Sequence, residues 1–472
     1  MSNKDTKKQI GKSKKAKRVG RIKLPKHLEH INQMAAGIDI GSESHFVAVP
    51  EGCDEKCVRV FSAFTPDLHQ LADWLEKCGI ETVAMESTGV YWIPLYELLE
   101  TRGFDVNLVD ARHVKNVKGR KTDVIDCQWI QHLHTCGLLN SAFRPAEEAN
   151  KLRIYSRQRN MLIEQASGHI LRMQKAMSQM NIKLQHVLSD ITGDTGMRII
   201  RAIVGGEYDP KILSQYRDWR CKQPIEIIEK ALTGSYREEH IFSLKQALAL
   251  YDTYQSQIKA CDIEIERQLL KLKSVEVEKR ADEKSPIVRK KTKSHCKNAP
   301  AFDLRSHLVR ITGVDLTAIP GIEASSAFRV IAEIGLDLRH WKNSKHFASW
   351  LGLCPGNKVS GGKQLSGKSR RVSNYAASIL RIAASTLHQS QSALGAFFRR
   401  MKSRLGAPKA TTAAAHKLAT IIFNMLTNKT EYIETGQNYY EEQYRERIVK
   451  NLAARAKTLG FGLVEMPLNS TA

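Results

Sequence analysis

The chain has 472 residues, 42% of them apolar, and a formal net charge of +24. That length allows two to four domains with real cores, and so large a positive excess points to a polyanionic partner. No stretch of about 18 apolar residues exists to span a bilayer, the polar, Lys-rich start is no secretory signal, and nine cysteines without a Cys-x-x-Cys pair argue against a disulfide framework or zinc site. A cytoplasmic protein with reduced thiols is expected.

Residues 1–33 read as a basic disordered arm, with eleven Lys and Arg in the first thirty positions. Residues 34–147 then alternate strands and helices. Ala36–Ile40 and His45–Val49 flank a short turn, and Val58–Phe64 makes a third strand. Asp67–Cys78 has helical spacing, Thr82–Glu86 is a fourth strand, Tyr91–Arg102 a helix closed by Gly103, and Asp105–Val109 a fifth strand. Thr122 caps a helix running to about Thr135. Hairpin strands followed by βα units predict a mixed sheet of the ribonuclease H type.

Residues 148–275 form a helical region. A seam on a helix over 148–185 runs through Leu152, Tyr155, Leu162, Ala166, Ile170, Met173, Met177 and Met180, with one polar break at Arg159. A second seam follows Leu244, Leu248, Tyr251, Ile258, Ile265, Leu269 and Leu272, and spacing alone does not say whether the two pair within one chain or across a dimer. Residues 276–305 are a basic linker. Residues 306–472 are mostly helical. Ile319-Pro320-Gly321-Ile322 ahead of a helical stretch from Ala324 suggests a helix-hairpin-helix-like element that grips phosphate. Trp341–Leu353 is helix-like, and Pro355–Lys363 is an exposed Gly/Lys-rich loop.

Four acids carry the chemistry. Asp39 is the only charge in Gly37-Ile38-Asp39-Ile40-Gly41, Glu86 ends an apolar strand, and Asp123 and Asp126 share one helix face. An acid in a buried strand is costly unless a cation or partner compensates it. Clustered carboxylates suit Mg²⁺, with Mn²⁺ an equivalent, and such ions clamp a phosphodiester. Asp110 reads as a helix cap instead. Arg112, His113, Lys115, Lys118, Arg120 and Lys121 form a basic face beside the acids, read either as solvated surface or as backbone contacts. Around Ser360, Gly361 and Gly362 permit close approach to a ligand, with Lys358 and Lys363 supplying charge; a flexible basic turn is the plainer reading, and the sequence names no base for the serine.

Taken together, these segments resemble the DEDD transposases of bacterial insertion sequences, the group that includes the pilin-gene invertase Piv. The residues that carry the likeness are Gly37-Ile38-Asp39-Ile40, Met85-Glu86-Ser87-Thr88-Gly89-Val90-Tyr91-Trp92, Arg112-His113-Val114-Lys115 and Gly119 through Asp126. Later in the chain they are Ile319-Pro320-Gly321-Ile322, Phe347-Ala348-Ser349-Trp350-Leu351-Gly352-Leu353 and Ser360-Gly361-Gly362-Lys363. The resemblance implies a RuvC-like domain, a coiled-coil insertion and a C-terminal transposase domain. It implies a metal-binding tetrad of Asp39, Glu86, Asp123 and Asp126, with Ser360 as the nucleophile that joins a DNA phosphate and Ser366 as its fallback. It also implies DNA as substrate, a structured guide RNA, a dimer or tetramer, and a nucleoid-associated place of action in a bacterium. Where the family often has two serines before Gly-Gly, Val359 precedes Ser360 here. The competing reading is a RuvC-like junction nuclease that uses water in place of the serine. An actin-like ATPase is a further alternative, but its second Asp-x-Gly-Gly-type loop is missing.

Overall fold

In the computed structural model, residues 31–87, 89–109, 123–275, 298–370 and 372–464 are described. The chain divides into two compact units, Met1–Arg144 and Pro145–Ala472.

The first unit is built on five strands: β1 (Ala35–Ile40), β2 (Ser44–Ala48), β3 (Val58–Ser62), β4 (Thr82–Glu86) and β5 (Asp105–Val109), in the order β3-β2-β1-β4-β5. The strands β3, β2 and β1 run antiparallel, while β1, β4 and β5 run parallel. This mixed sheet fits a RuvC-like domain. Alternation along each strand divides the side chains between two faces. Ile38, Ile40, Val47, Val83 and Met85 pack with Leu68, Leu71 and Leu75 of helix Thr65–Lys77 and with Leu95 and Leu99 of helix Trp92–Thr101. The other face carries Gly37, Ala84 and Val109, and helix Asp123–Thr135 covers it through Ile130.

In the second unit, helix Glu147–Gln179 packs along helix Glu238–Lys271. Contacts of residue 159 with 262 and of 169 with 254 make the pair antiparallel, within one chain. The expected seam is buried at Leu152, Leu162, Ala166, Met173 and Met177 on one helix, and at Leu244, Leu248, Tyr251, Ile258, Ile265 and Leu269 on the other. The polar break has a partner: Arg159 donates to the Asp262 carboxylate, and both are buried. The first helix stops at Gln179, short of residue 185, because Asn181 adopts a left-handed conformation (φ 59°) and its neighbour Ile182 turns back to donate to Met177 O. Short helices Asp194–Val204, Pro210–Ser214 and Ile225–Leu232 close the far end, burying Ile199, Ile200, Ile203, Leu213, Ile228 and Leu232 on Met177, Met180 and Ile182.

The C-terminal helices gather around Ala407–Asn428. Its small residues, Ala410, Ala414, Ala415 and Ala419, are fully buried and let helices Ser344–Trp350, Tyr375–Thr386 and Ala393–Leu405 approach closely. Helix Gly436–Thr458 is the last helix of the described residues and buries none of its own. Among the described residues no helix is long and apolar enough to cross a membrane, and the eight described cysteines form no disulfide.

Candidate active site

Helix Asp123–Thr135 is the element that arranges the acids. Its C-terminal turn lies at the starting edge of the sheet: Thr135 O accepts from Ile31 N and Asn32 N, and His134 Nε2 lies 2.8 Å from Thr82 Oγ1. Midway, the helix backbone presses on β1 so closely that a Cβ on Gly37 would fall 2.2 Å from Gln131 N and 2.5 Å from Cys127 O. The helix therefore runs antiparallel to β1 and β4, and its first turn, with Asp123 and Asp126, reaches the C-terminal edge of the strands.

That edge carries the other two acids. Asp39 lies two residues beyond Gly37, so it shares the helix-covered face. Ile38 pairs with Met85 in parallel register, which sets Asp39 beside Glu86 one step further along, and Glu86 shares a face with Ala84. Asp39, Glu86 and Asp126 are half-buried, and Asp123 is exposed. The Cys127 thiol lies on the same helix, next to Asp126 in sequence, and senses the charges of both Asp39 and Asp126. It is fully buried, donates to Val124 O at 3.2 Å, and is pushed up to about 12 by burial first and by the charges of Asp39 and Asp126 in addition.

Among the described residues no three His, Cys, Asp or Glu side chains are already drawn together tightly enough to hold a metal ion. The four carboxylates are hard oxygen donors, and their chemistry is of the kind a hard divalent cation takes. Asp110 and the basic stretch Arg112, His113, Lys115, Lys118, Arg120 and Lys121 lie outside the described residues.

The Ser360 segment is a hairpin, where the sequence suggested an open loop. Strands β6 (Lys358–Ser360) and β7 (Lys363–Ser366) pair antiparallel, Ser360 opposite Lys363 and Lys358 opposite Ser366. The two turn residues, Gly361 (φ 54°) and Gly362 (φ 74°), are both left-handed, as the tightest hairpin turn requires. Ser360 and Lys363 are exposed at this tip. Ser366 is half-buried, and its Oγ accepts from Lys368 N at 3.3 Å.

Residues 319–322 form a tight turn with Ile322 N donating to Ile319 O at 3.1 Å, Pro320 and a left-handed Gly321 (φ 84°) at its centre, and helix Ala324–Ile334 following. Sequence reasoning missed the part played by Cys127 beneath the acids. Gly37 was the available signal, since a glycine inside a strand marks a close backbone approach.

A DEDD-type transposase family model of the IS110 group matches residues 36–182. A second, the transposase IS116/IS110/IS902 family, matches residues 315–399. The chain belongs to the IS110-type transposases. The first match takes in the sheet, all four acids and the first long helix; the second takes in the Pro-Gly turn and the Ser360 hairpin. The small helices at the far end of the transposase's helix pair, and the whole second long helix, fall outside both. None of the curated proteins matches the chain. As an insertion-sequence transposase it is a DNA-cutting enzyme with DNA as its partner.

Proposed function

We propose that this transposase cuts and rejoins DNA with Asp39, Glu86, Asp123 and Asp126 as its acidic tetrad and Ser360 as its nucleophile. The observation that supports the reading best is that parallel pairing sets Asp39 beside Glu86 at the strand edge toward which the first turn of helix Asp123–Thr135, with Asp123 and Asp126, is directed. The four carboxylates would hold divalent cations, Mg²⁺ or Mn²⁺, which when bound stabilise the charge that develops on a phosphate.

Ser360 stands exposed on a turn that leaves its backbone open to a ligand, with Lys363 opposite to attract a phosphate. In the transfer, the serine oxygen forms an ester bond to phosphorus as the bond to one DNA strand breaks, and the displaced strand leaves as a hydroxyl carrying the proton. Reversal on a new strand rejoins the DNA. Lys358 and the basic stretch 112–121 would hold the DNA backbone. A structured RNA guide and a dimer or tetramer belong to the same proposal.

The test is a strand-exchange assay on Ser360→Ala and Asp126→Ala, with DNA binding measured in parallel. Both variants lose exchange and keep binding. A covalent protein–DNA adduct runs on a denaturing gel for the wild type and disappears with Ser360→Ala. Normal exchange by Ser360→Ala, or cutting with no adduct, would favour water as the nucleophile.

A further inference from the structure

Where the first long helix packs on helix Ala324–Ile334, two guanidinium groups meet one carboxylate, and a third lies one helical turn away on the Tyr375 ring. Glu333 is only 6% exposed. It accepts from Arg157 Nε at 2.7 Å and Nη2 at 2.8 Å, and Arg153 Nε lies 3.0 Å from it. One turn back from Glu333, Arg329 sits with its guanidinium 5.4 Å from the centre of the Tyr375 ring and its Nη2 3.4 Å from the Tyr375 hydroxyl. Arg157 lies 5.6 Å from the same ring centre.

The charges do not balance. Three arginines against one glutamate leave two positive charges in excess; Arg153 and Arg329 are half-buried and Arg157 is exposed. Holding the two helices together needs only the bidentate Arg157–Glu333 pair. Arg329 is surplus to that clamp, and its buried Nε finds no acceptor among the described residues. Burial, and to a smaller degree the neighbouring Arg157, push Arg153 below the usual arginine range against the pull of Glu333. A cluster of like charges gathered at this cost is stabilised by an anion, and planar guanidinium forks match the oxygens of a phosphate in pairs.

We propose that Arg153, Arg157, Arg329 and the Tyr375 hydroxyl bind a phosphodiester group of a nucleic acid, with Glu333 as the positioning residue that aligns the first two. Tyr375 opens helix Tyr375–Thr386, whose cap Asn374 accepts from Ala377 N, so its ring is fixed on a rigid element. The phosphate belongs either to DNA or to RNA, since both present the same oxygens.

The experiment uses the full chain with Arg329→Gln and Tyr375→Phe, neither of which breaks the Glu333 clamp. Fluorescence anisotropy follows binding of a labelled DNA duplex and of a labelled single-stranded RNA over a series of salt concentrations. For the strand that fills the site, Arg329→Gln weakens binding about tenfold, the worth of one charge-assisted hydrogen bond. It also lowers the salt slope by about 0.9 on duplex DNA or about 0.7 on a single strand. Tyr375→Phe weakens binding by a smaller factor and leaves the slope unchanged, because it removes a hydroxyl and no charge. A change with DNA alone assigns the phosphate to DNA, a change with RNA alone to RNA, and a change with both to either strand. Wild-type affinity and slope for both variants on both probes would overturn the proposal, and so would equal losses without a change of slope. The readout is binding, so it stands or falls separately from the Ser360 adduct.

Discussion

Replacing Gly37 by alanine tests how the acids are held. The new Cβ would lie 2.2 Å from Gln131 N, where ordinary contact begins near 3.4 Å, a shortfall of about 1.2 Å. Its other close neighbours, Cys127 O and Gln131 Cα, are also backbone, so no flexible side chain can yield. The helix must withdraw from the sheet or the strand must bend. Overpacking of this kind costs about 1–3 kcal/mol. At roughly 4 °C per kcal/mol for a unit of this size, the melting temperature falls by about 4–12 °C. Asp126 rides on the same helix, and a displacement near 1 Å costs on the order of 100-fold in rate where groups must be aligned. Calorimetry of the purified chain and a DNA-cleavage assay read the two effects together. A Gly37→Ala protein that melts and cuts like the wild type would refute the close approach of helix and strand, and with it the proposed alignment of the acids.

Arg159→Met strands the buried Asp262 carboxylate and should cost about 3–5 kcal/mol in denaturant unfolding, whereas Arg159→Met with Asp262→Leu recovers most of that loss; a double-variant loss equal to the sum of the two single losses would show that the pair carries no coupling. Cys127, pushed up to about 12, gives stability that is complete below the unfolded thiol value near 9 and is lost as pH rises toward 12. Alkylation followed by mass spectrometry should leave Cys127 unmodified in the native chain at pH 8 and modify it after unfolding, and rapid native labelling would contradict its burial. Burial holds His134 below the usual histidine value, partly opposed by Asp105, so its contribution is present above pH 6.5 and is lost as pH falls through the lowered value. Urea melts at pH 7 and pH 5 should differ more for the wild type than for His134→Gln; identical differences would remove His134 from the account.

Strands and paired helices were legible wherever one face is apolar and the period is clean. The alternation in β1 and β4 named their core faces, and the 3-4 spacing of the two long helices named most of their buried residues. Spacing could not choose between pairing within a chain and pairing between chains, because the same seam serves both. It also overran the first long helix, since Met180 continues the apolar pattern and only the backbone of Asn181 ends it. The hairpin at Ser360 was hidden because strands of three and four residues are too short to show a period. At the candidate site, the acids stood out as charges in apolar surroundings, and their common edge followed once the helix direction was known. The arginine cluster beside Glu333 and Tyr375 was invisible, since its members come from positions 153, 157 and 329 and no local pattern joins them.

The antiparallel helix pair spends its apolar stripe on itself. A zipper shared between two polypeptides opens on dilution, by mass action; one closed by a single polypeptide does not. The helix pair keeps its form at any concentration, about 50 Å long at 1.5 Å per residue.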